Sequence, residues 1–138
     1  MNNFFLDADI VIDVLMARKP FVEISSEIFR LAENNKVNLF ISALSYWNIY
    51  YIIKKSNSHE NAIEILKELN NYITAINVGQ EIITLSINSS FNDFEDSIQY
   101  HSAIAHGKIT AVVTRNSKDF KLSELPVLNP EQALALIS

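Results

Sequence analysis

Phe4-Phe5-Leu6-Asp7-Ala8-Asp9-Ile10-Val11-Ile12-Asp13 is the stretch on which the fold turns. Three large apolar residues run straight into an aspartate, and a second apolar segment begins at once behind it. Residues 2–6 predict a short buried strand and residues 8–17 a helix. Asp7 or Asp9 serves as the helix N-cap, because a short carboxylate satisfies free backbone N–H groups. Two further acidic stations lie where apolar runs end. Glu95-Asp96 opens the stretch 97–106, and Asn116 with Asp119 follows Ala111-Val112-Val113-Thr114. In an open α/β sheet the carboxyl ends of the strands share one edge, and ligands bind there. Carboxylates gathered at that edge repel one another unless a cation sits between them. A hard ion such as Mg²⁺ uses one or two carboxylates and keeps several waters. The pattern points to metal-dependent phosphate chemistry.

Working outward, Pro20 is expected in a first helical turn. Phe21, Ile24, Ile28, Leu31 and Ala32 recur at helical spacing over residues 21–34. A turn at Asn34-Asn35-Lys36 leads into a strand at 37–41. Ser42 is a natural N-cap for a helix over 43–55, and Ser58 for one over 59–71. Strands follow at 73–78 and 110–114, helices at 80–89 and 93–106, with Gly107 as the C-terminal stop. Residues 126–128 read as an edge strand and 130–137 as a closing helix. Strands alternate with helices, which predicts a three-layer α/β/α sandwich on a mainly parallel sheet. No linker, repeat or low-complexity block interrupts residues 1–138, so one domain is expected.

The chain has 138 residues, 49% of them apolar, and a net charge of −5. That length supports a core without staples. There are no cysteines, which excludes disulfides, thiolate nucleophiles and cysteine zinc sites and suits a reducing cytoplasm. The apolar runs are too short to span a bilayer, and the N-terminus carries no basic leader. A cytoplasmic protein with no membrane contact is expected. Negative charge disfavours a nucleic-acid partner, yet bound cations would offset the acids of the site. Arg115, Lys118 and Lys121 bracket the last acidic station, where they could steer a substrate phosphate, though small basic groups are more often solvated faces.

The segments FFLDADIVIDVL, ISALSYWNIYYIIKK, DFEDSIQYHSAIAHG and VVTRNSKDF together resemble a PIN domain, in order and over essentially the whole chain. They look closest to a bacterial subgroup related to VapC-type toxins of toxin–antitoxin pairs. The resemblance implies cleavage of single-stranded RNA with Mg²⁺ or Mn²⁺ and a small antitoxin protein as partner. Carried over by position, Asp7, Asp96 and Asp119 match metal-binding acids, and Asn116 shares the last polar station. Ser42 and Thr114 match small hydroxyl residues lining the same edge, with Arg115 and Lys118 placed for substrate. Ala8 stands where Ser or Thr is common.

Asn48 is the main departure, since the family usually has glutamate there. An amide oxygen can coordinate Mg²⁺ but brings neither charge nor a useful base. If the site is active, Asp7 and Asp96, with Asp119, hold one or two ions, and a metal-activated water attacks the phosphate. The resemblance implies 5′-phosphate and 3′-hydroxyl products. One alternative is a PIN fold that binds RNA or a partner and cuts weakly or not at all. Another is a haloacid-dehalogenase-like phosphatase, with Asp7 as nucleophile and Asp9 as acid/base. That family also needs a placed lysine and a Gly-Asp signature, which are missing. His59, His101 and His106 lack metal-ligand spacing and read as structural. The aromatics Tyr46, Trp47, Tyr50 and Tyr51 read as packing, including a dimer surface. Asp13 reads as an exposed helix residue, with a place at the rim of the site as the alternative.

Overall fold

The computed structural model describes residues 1–137, so Ser138, the last residue of the expected domain, lies outside the described residues. Five parallel strands form the sheet: β1 (Asn3–Leu6), β2 (Asn38–Ser42), β3 (Ile73–Ile76), β4 (Ala111–Val113) and β5 (Val127–Leu128), in the order β3-β2-β1-β4-β5. Seven helices are found among the described residues: α1 (Ala8–Leu15), α2 (Val22–Glu33), α3 (Ala43–Lys54), α4 (His59–Leu69), α5 (Gln80–Ile87), α6 (Phe94–His106) and α7 (Pro130–Ile137). The expected α/β/α sandwich is the observed one.

The layers follow from the two-residue period of a strand, which sends alternate side chains to opposite faces. Phe4, Leu6, Leu39, Ile41, Ala111 and Val113 pack with α1, α2, α3, α4 and α7 in one core. Phe5 and Val112 turn the other way and pack with Tyr100, Ala103, Ile109 and Phe120. β1 is central and buried on both faces, which is why Phe4-Phe5-Leu6 is apolar without alternation.

Several boundaries move inward. The strand expected at 110–114 contracts to Ala111–Val113, with a threonine on either side whose hydroxyl makes a tertiary bond. Thr110 Oγ1 accepts from the Asn3 amide at 2.9 Å, and Thr114 turns its hydroxyl to Asp7. The third strand stops at Ile76, where its pairing with Ser42 ends. Pro20 lies in the turn before α2 rather than in its first turn, and Val22 N–H donates to the Arg18 carbonyl at 2.8 Å. A 3-10 turn at Ser117–Phe120, not anticipated, carries the third acidic station. Ser42, Ser58 and Gly107 cap as expected, Gly107 with a φ of 80° that favours glycine.

Candidate active site

β1 ends at Leu6, and the Asp7 amide still donates to the Val113 carbonyl at 2.9 Å, so Asp7 sits at the carboxyl edge between β1 and β4. Asp7 is 5% exposed, and its carboxylate is held from three sides. Oδ2 accepts from Thr114 Oγ1 at 2.8 Å, while Oδ1 accepts from the Asp9 amide and from Gln99 Nε2, both at 3.4 Å. Asp7 is therefore the cap of α1 and also a buried carboxylate at the sheet edge. Burial pushes its carboxyl above the usual range, the Thr114 bond opposes that, and Asp9 adds to it.

Gln99 was not singled out in the sequence. It is fully buried on α6, donates to Asp7, and accepts from the Ala8 amide at 2.9 Å. A signal was present: Gln99 follows Asp96 by three residues, so both lie on one side of α6.

The N-terminus of α6 brings the second station to the same edge. Asp93 caps the helix, its side chain accepting from the Asp96 amide at 3.0 Å. Burial, followed by the charges of Asp93, Asp7, Asp119 and Glu95, pushes the Asp96 carboxyl up to about 7. Glu95 is raised by burial, then by Asp7, Asp93 and Asp9. It accepts a hydrogen bond from Asn48 Nδ2 at 2.8 Å, so the amide on α3 faces a carboxylate on α6. Asn48 thus reaches the site region through Glu95.

Asp119 comes from the 3-10 turn. It lines a cleft of about 210 Å³ with Asp93, Asp96, Lys118 and Lys121. Among the described residues no protein group donates to the carboxylates of Asp96 or Asp119. Asn116 ties its backbone to the site through a 3.1 Å bond from its amide to Thr114 Oγ1. Ser42 is buried and occupied with capping α3, its hydroxyl accepting from the Ser45 amide at 3.2 Å.

Arg115 does not stand free for phosphate. Its Nε and Nη2 donate to Asp13 at 2.6 and 3.2 Å, and its guanidinium lies 4.0 Å from the Phe21 ring centre. Asp13 itself is 0% exposed, contrary to the expectation of a surface residue. The sequence held the reason: α1 is apolar nearly all round, so little of it faces water. The histidines take structural partners. His59 bonds Tyr50 Oη at 2.7 Å, His101 Nδ1 bonds the Ser97 carbonyl at 2.8 Å, and His106 packs on Phe40. Tyr46 and Tyr50 are half-buried, whereas Trp47 is 66% exposed and Tyr51 faces solvent, so packing within the chain accounts for only part of that cluster.

The donor set suits a hard divalent cation, being all oxygen and short of counter-charge. Among the described residues no three His, Cys, Asp or Glu side chains stand close enough for a ready-made chelate. The two facts agree, because carboxylates feel each other's charge at distances well beyond coordination. A cation here would take one or two carboxylates, Asp7 and Asp96 foremost, and fill its shell with water.

A protein-family model described as PIN domain matches residues 3–118. No curated protein matches the sequence. Among solved structures, VapBC2 from Rickettsia felis bound to a DNA fragment from its promoter is similar at 19% identity. That match covers 92% of this chain and 98% of the other, with a TM-score of 0.65. VapBC-1 from nontypeable Haemophilus influenzae gives 18% identity, 94% and 98% coverage and a TM-score of 0.67. FitAB bound to an IR36 DNA fragment gives 17% identity, 92% and 94% coverage and a TM-score of 0.66. At these identities the likeness is one of fold.

Proposed function

The chain belongs to the PIN domain family, and from that premise we propose that it is a metal-dependent endoribonuclease cutting single-stranded RNA, the toxin of a toxin–antitoxin pair. What supports this most is that Asp96 and Asp119, from separate segments, line one cleft, with the buried Asp7 near enough at the sheet edge for its charge to raise the Asp96 carboxyl. Repelling acids are costly in a purely structural module and useful around a cation. Family membership removes the ground for the dehalogenase-like phosphatase.

Asp7, fixed by Thr114 and Gln99, would anchor Mg²⁺ or Mn²⁺, and Asp96 with Asp119 would close on it from the cleft. A bound cation supplies a water of lowered pKa and offsets charge on the phosphate. Lys118 and Lys121 flank Asp96 and Asp119 in the cleft and offer local positive charge to the RNA backbone, despite the net charge of −5. A small antitoxin is the proposed protein partner, by analogy with the complexes to which the fold is similar. The outward side chains Leu44, Trp47 and Tyr51 of α3 support a homodimer. Such a protein acts in the cytoplasm, and among the described residues no helix is long and apolar enough to cross a membrane.

A non-cutting binder has its own support, since Asn48 adds no charge and, among the described residues, no three acids form a chelate. Incubation of single-stranded RNA with Mn²⁺ or Mg²⁺ separates the two. The nuclease cuts, stops with a chelator, and loses about 10²–10⁴-fold with Asp96→Asn, as fits loss of several kcal/mol of charge stabilisation. An inert wild type that gains cleavage with Asn48→Glu would establish the binder. Cleavage indifferent to Asp96→Asn would remove the site assignment.

A further inference from the structure

Two consecutive residues, Thr114 and Arg115, leave β4 and grip two acids of one helix region. Thr114 donates to Asp7, the cap of α1, and Arg115 donates through two nitrogens to Asp13, six residues on. At a helical rise of 1.5 Å per residue the two grips are spaced roughly 9 Å apart along α1. A single bond at Thr114 would let the following turn swivel about it. A second, forked bond further along the same helix stops that rotation. The turn it holds contains Asn116, whose amide donates to Thr114 Oγ1, and leads to Asp119, whose amide donates to the Asn116 carbonyl at 3.0 Å.

We propose that Asp13 and Arg115 form a clamp that positions Thr114, Asn116 and the 3-10 turn against Asp7. This rests on the nuclease reading for its catalytic consequence, though not for its structural one. The clamp is built rather than incidental. Asp13 is fully buried, the Arg115 side chain is 27% exposed and lies over the Phe21 ring, and Arg18 Nη1 stands 3.8 Å from the same carboxylate. The Arg18 amide also donates to the Asp13 carbonyl at 2.9 Å. A phosphate that drew Arg115 away would leave a buried carboxylate short of its main partner, which is strongly unfavourable. Arg115 is therefore a positioning residue and not an RNA ligand. Lysine cannot replace it, because a point charge makes neither the fork nor the stack.

Arg115→Lys keeps the charge and tests the idea directly, with Phe21→Leu as a milder second variant that leaves Asp13 paired. With Arg115→Lys, hydrogen exchange at the Asn116 and Asp119 amides should accelerate while β1 stays protected. kcat should fall about 10–100-fold, the usual effect of losing a group that orients a metal ligand. KM for RNA and the salt dependence of binding should hold. Phe21→Leu should shift the same readouts less. A raised KM and a salt slope reduced by about one, with kcat unchanged, is the signature of a phosphate contact and would overturn the clamp. If the wild type cuts no RNA, the nuclease reading fails, while exchange still decides the clamp: faster exchange upholds it and unchanged exchange ends it.

Discussion

Asp7 and the Asp96–Asp119 pair lie at one edge of one sheet yet are held in opposite ways. Asp7 is almost wholly buried and accepts from Thr114, Gln99 and the Asp9 amide. Asp96 and Asp119 line an open cleft, and among the described residues no protein group donates to either carboxylate. One carboxylate of the edge is fixed by protein donors, and the other two present unbonded oxygens to the cleft. For metal chemistry that division makes sense, because a fixed acid sets where an ion sits and unbonded acids keep lone pairs for it and its waters. It also fits the finding that, among the described residues, no three acidic or histidine side chains stand close enough to chelate an ion.

The largest effect that would test this contrast is structural. The turn on the open side is anchored in the core by Phe120, which follows Asp119 and is 1% exposed among Phe5, Tyr100, Ala103, Ile109 and Val112. Phe120→Ala should cost about 3–5 kcal/mol of stability, the usual range for a buried phenylalanine, measured by denaturant unfolding. A loss well under 1 kcal/mol would mean that the turn is held from elsewhere. Next in size is the fixed side. Thr114→Val keeps the shape and removes the donor to Asp7, so Mn²⁺ affinity should fall about 10–100-fold, read by Mn²⁺ titration. Unchanged affinity would break the claim that Asp7 needs its setting to act as anchor.

The same division governs what the residues alone could convey. Asp7 was legible because a strand, a cap and an acid coincide in six residues, each with a local rule behind it. The parallel sheet and both helical layers followed from alternation and capping at Ser42, Ser58 and Gly107. What escaped depended on contacts between distant segments. Asp13 obeys helical spacing on α1, but its partner Arg115 lies 102 residues away, and only the fold joins them. Gln99 meets Asp7 across 92 residues, and Asn48 meets Glu95 across 47. A basic residue beside an acidic station suits phosphate, as Arg115 does in the sequence, while the buried Asp13 carboxylate that also engages it is visible only in the fold. Thr110 and Thr114 fit a β pattern, yet the strand between them covers only Ala111–Val113, and their hydroxyls serve tertiary bonds.

The smallest effect is a pH dependence of stability, and it belongs to the open side. Asp96 has an ordinary value of 3.8 when unfolded, and in the fold burial and four neighbouring acids push it up to about 7. A carboxyl raised on folding holds its proton more tightly in the native state. Its contribution to stability is thus fully present below 3.8 and is lost as pH climbs through about 7. Asp7 and Glu95, raised chiefly by burial, act in the same direction. Metal-free protein should therefore lose stability over that window by more than Asp96→Asn does, and the difference between the two melting curves isolates the group. A cation that binds only the ionised native site should restore stability near pH 7.5 and do little near pH 5, because protons and metal compete for the same oxygens. Thermal melts of both proteins across pH, with and without Mg²⁺, measure all of this. Parallel curves for wild type and Asp96→Asn would mean that the open acids do not feel one another, and the contrast with Asp7 would then be one of exposure alone.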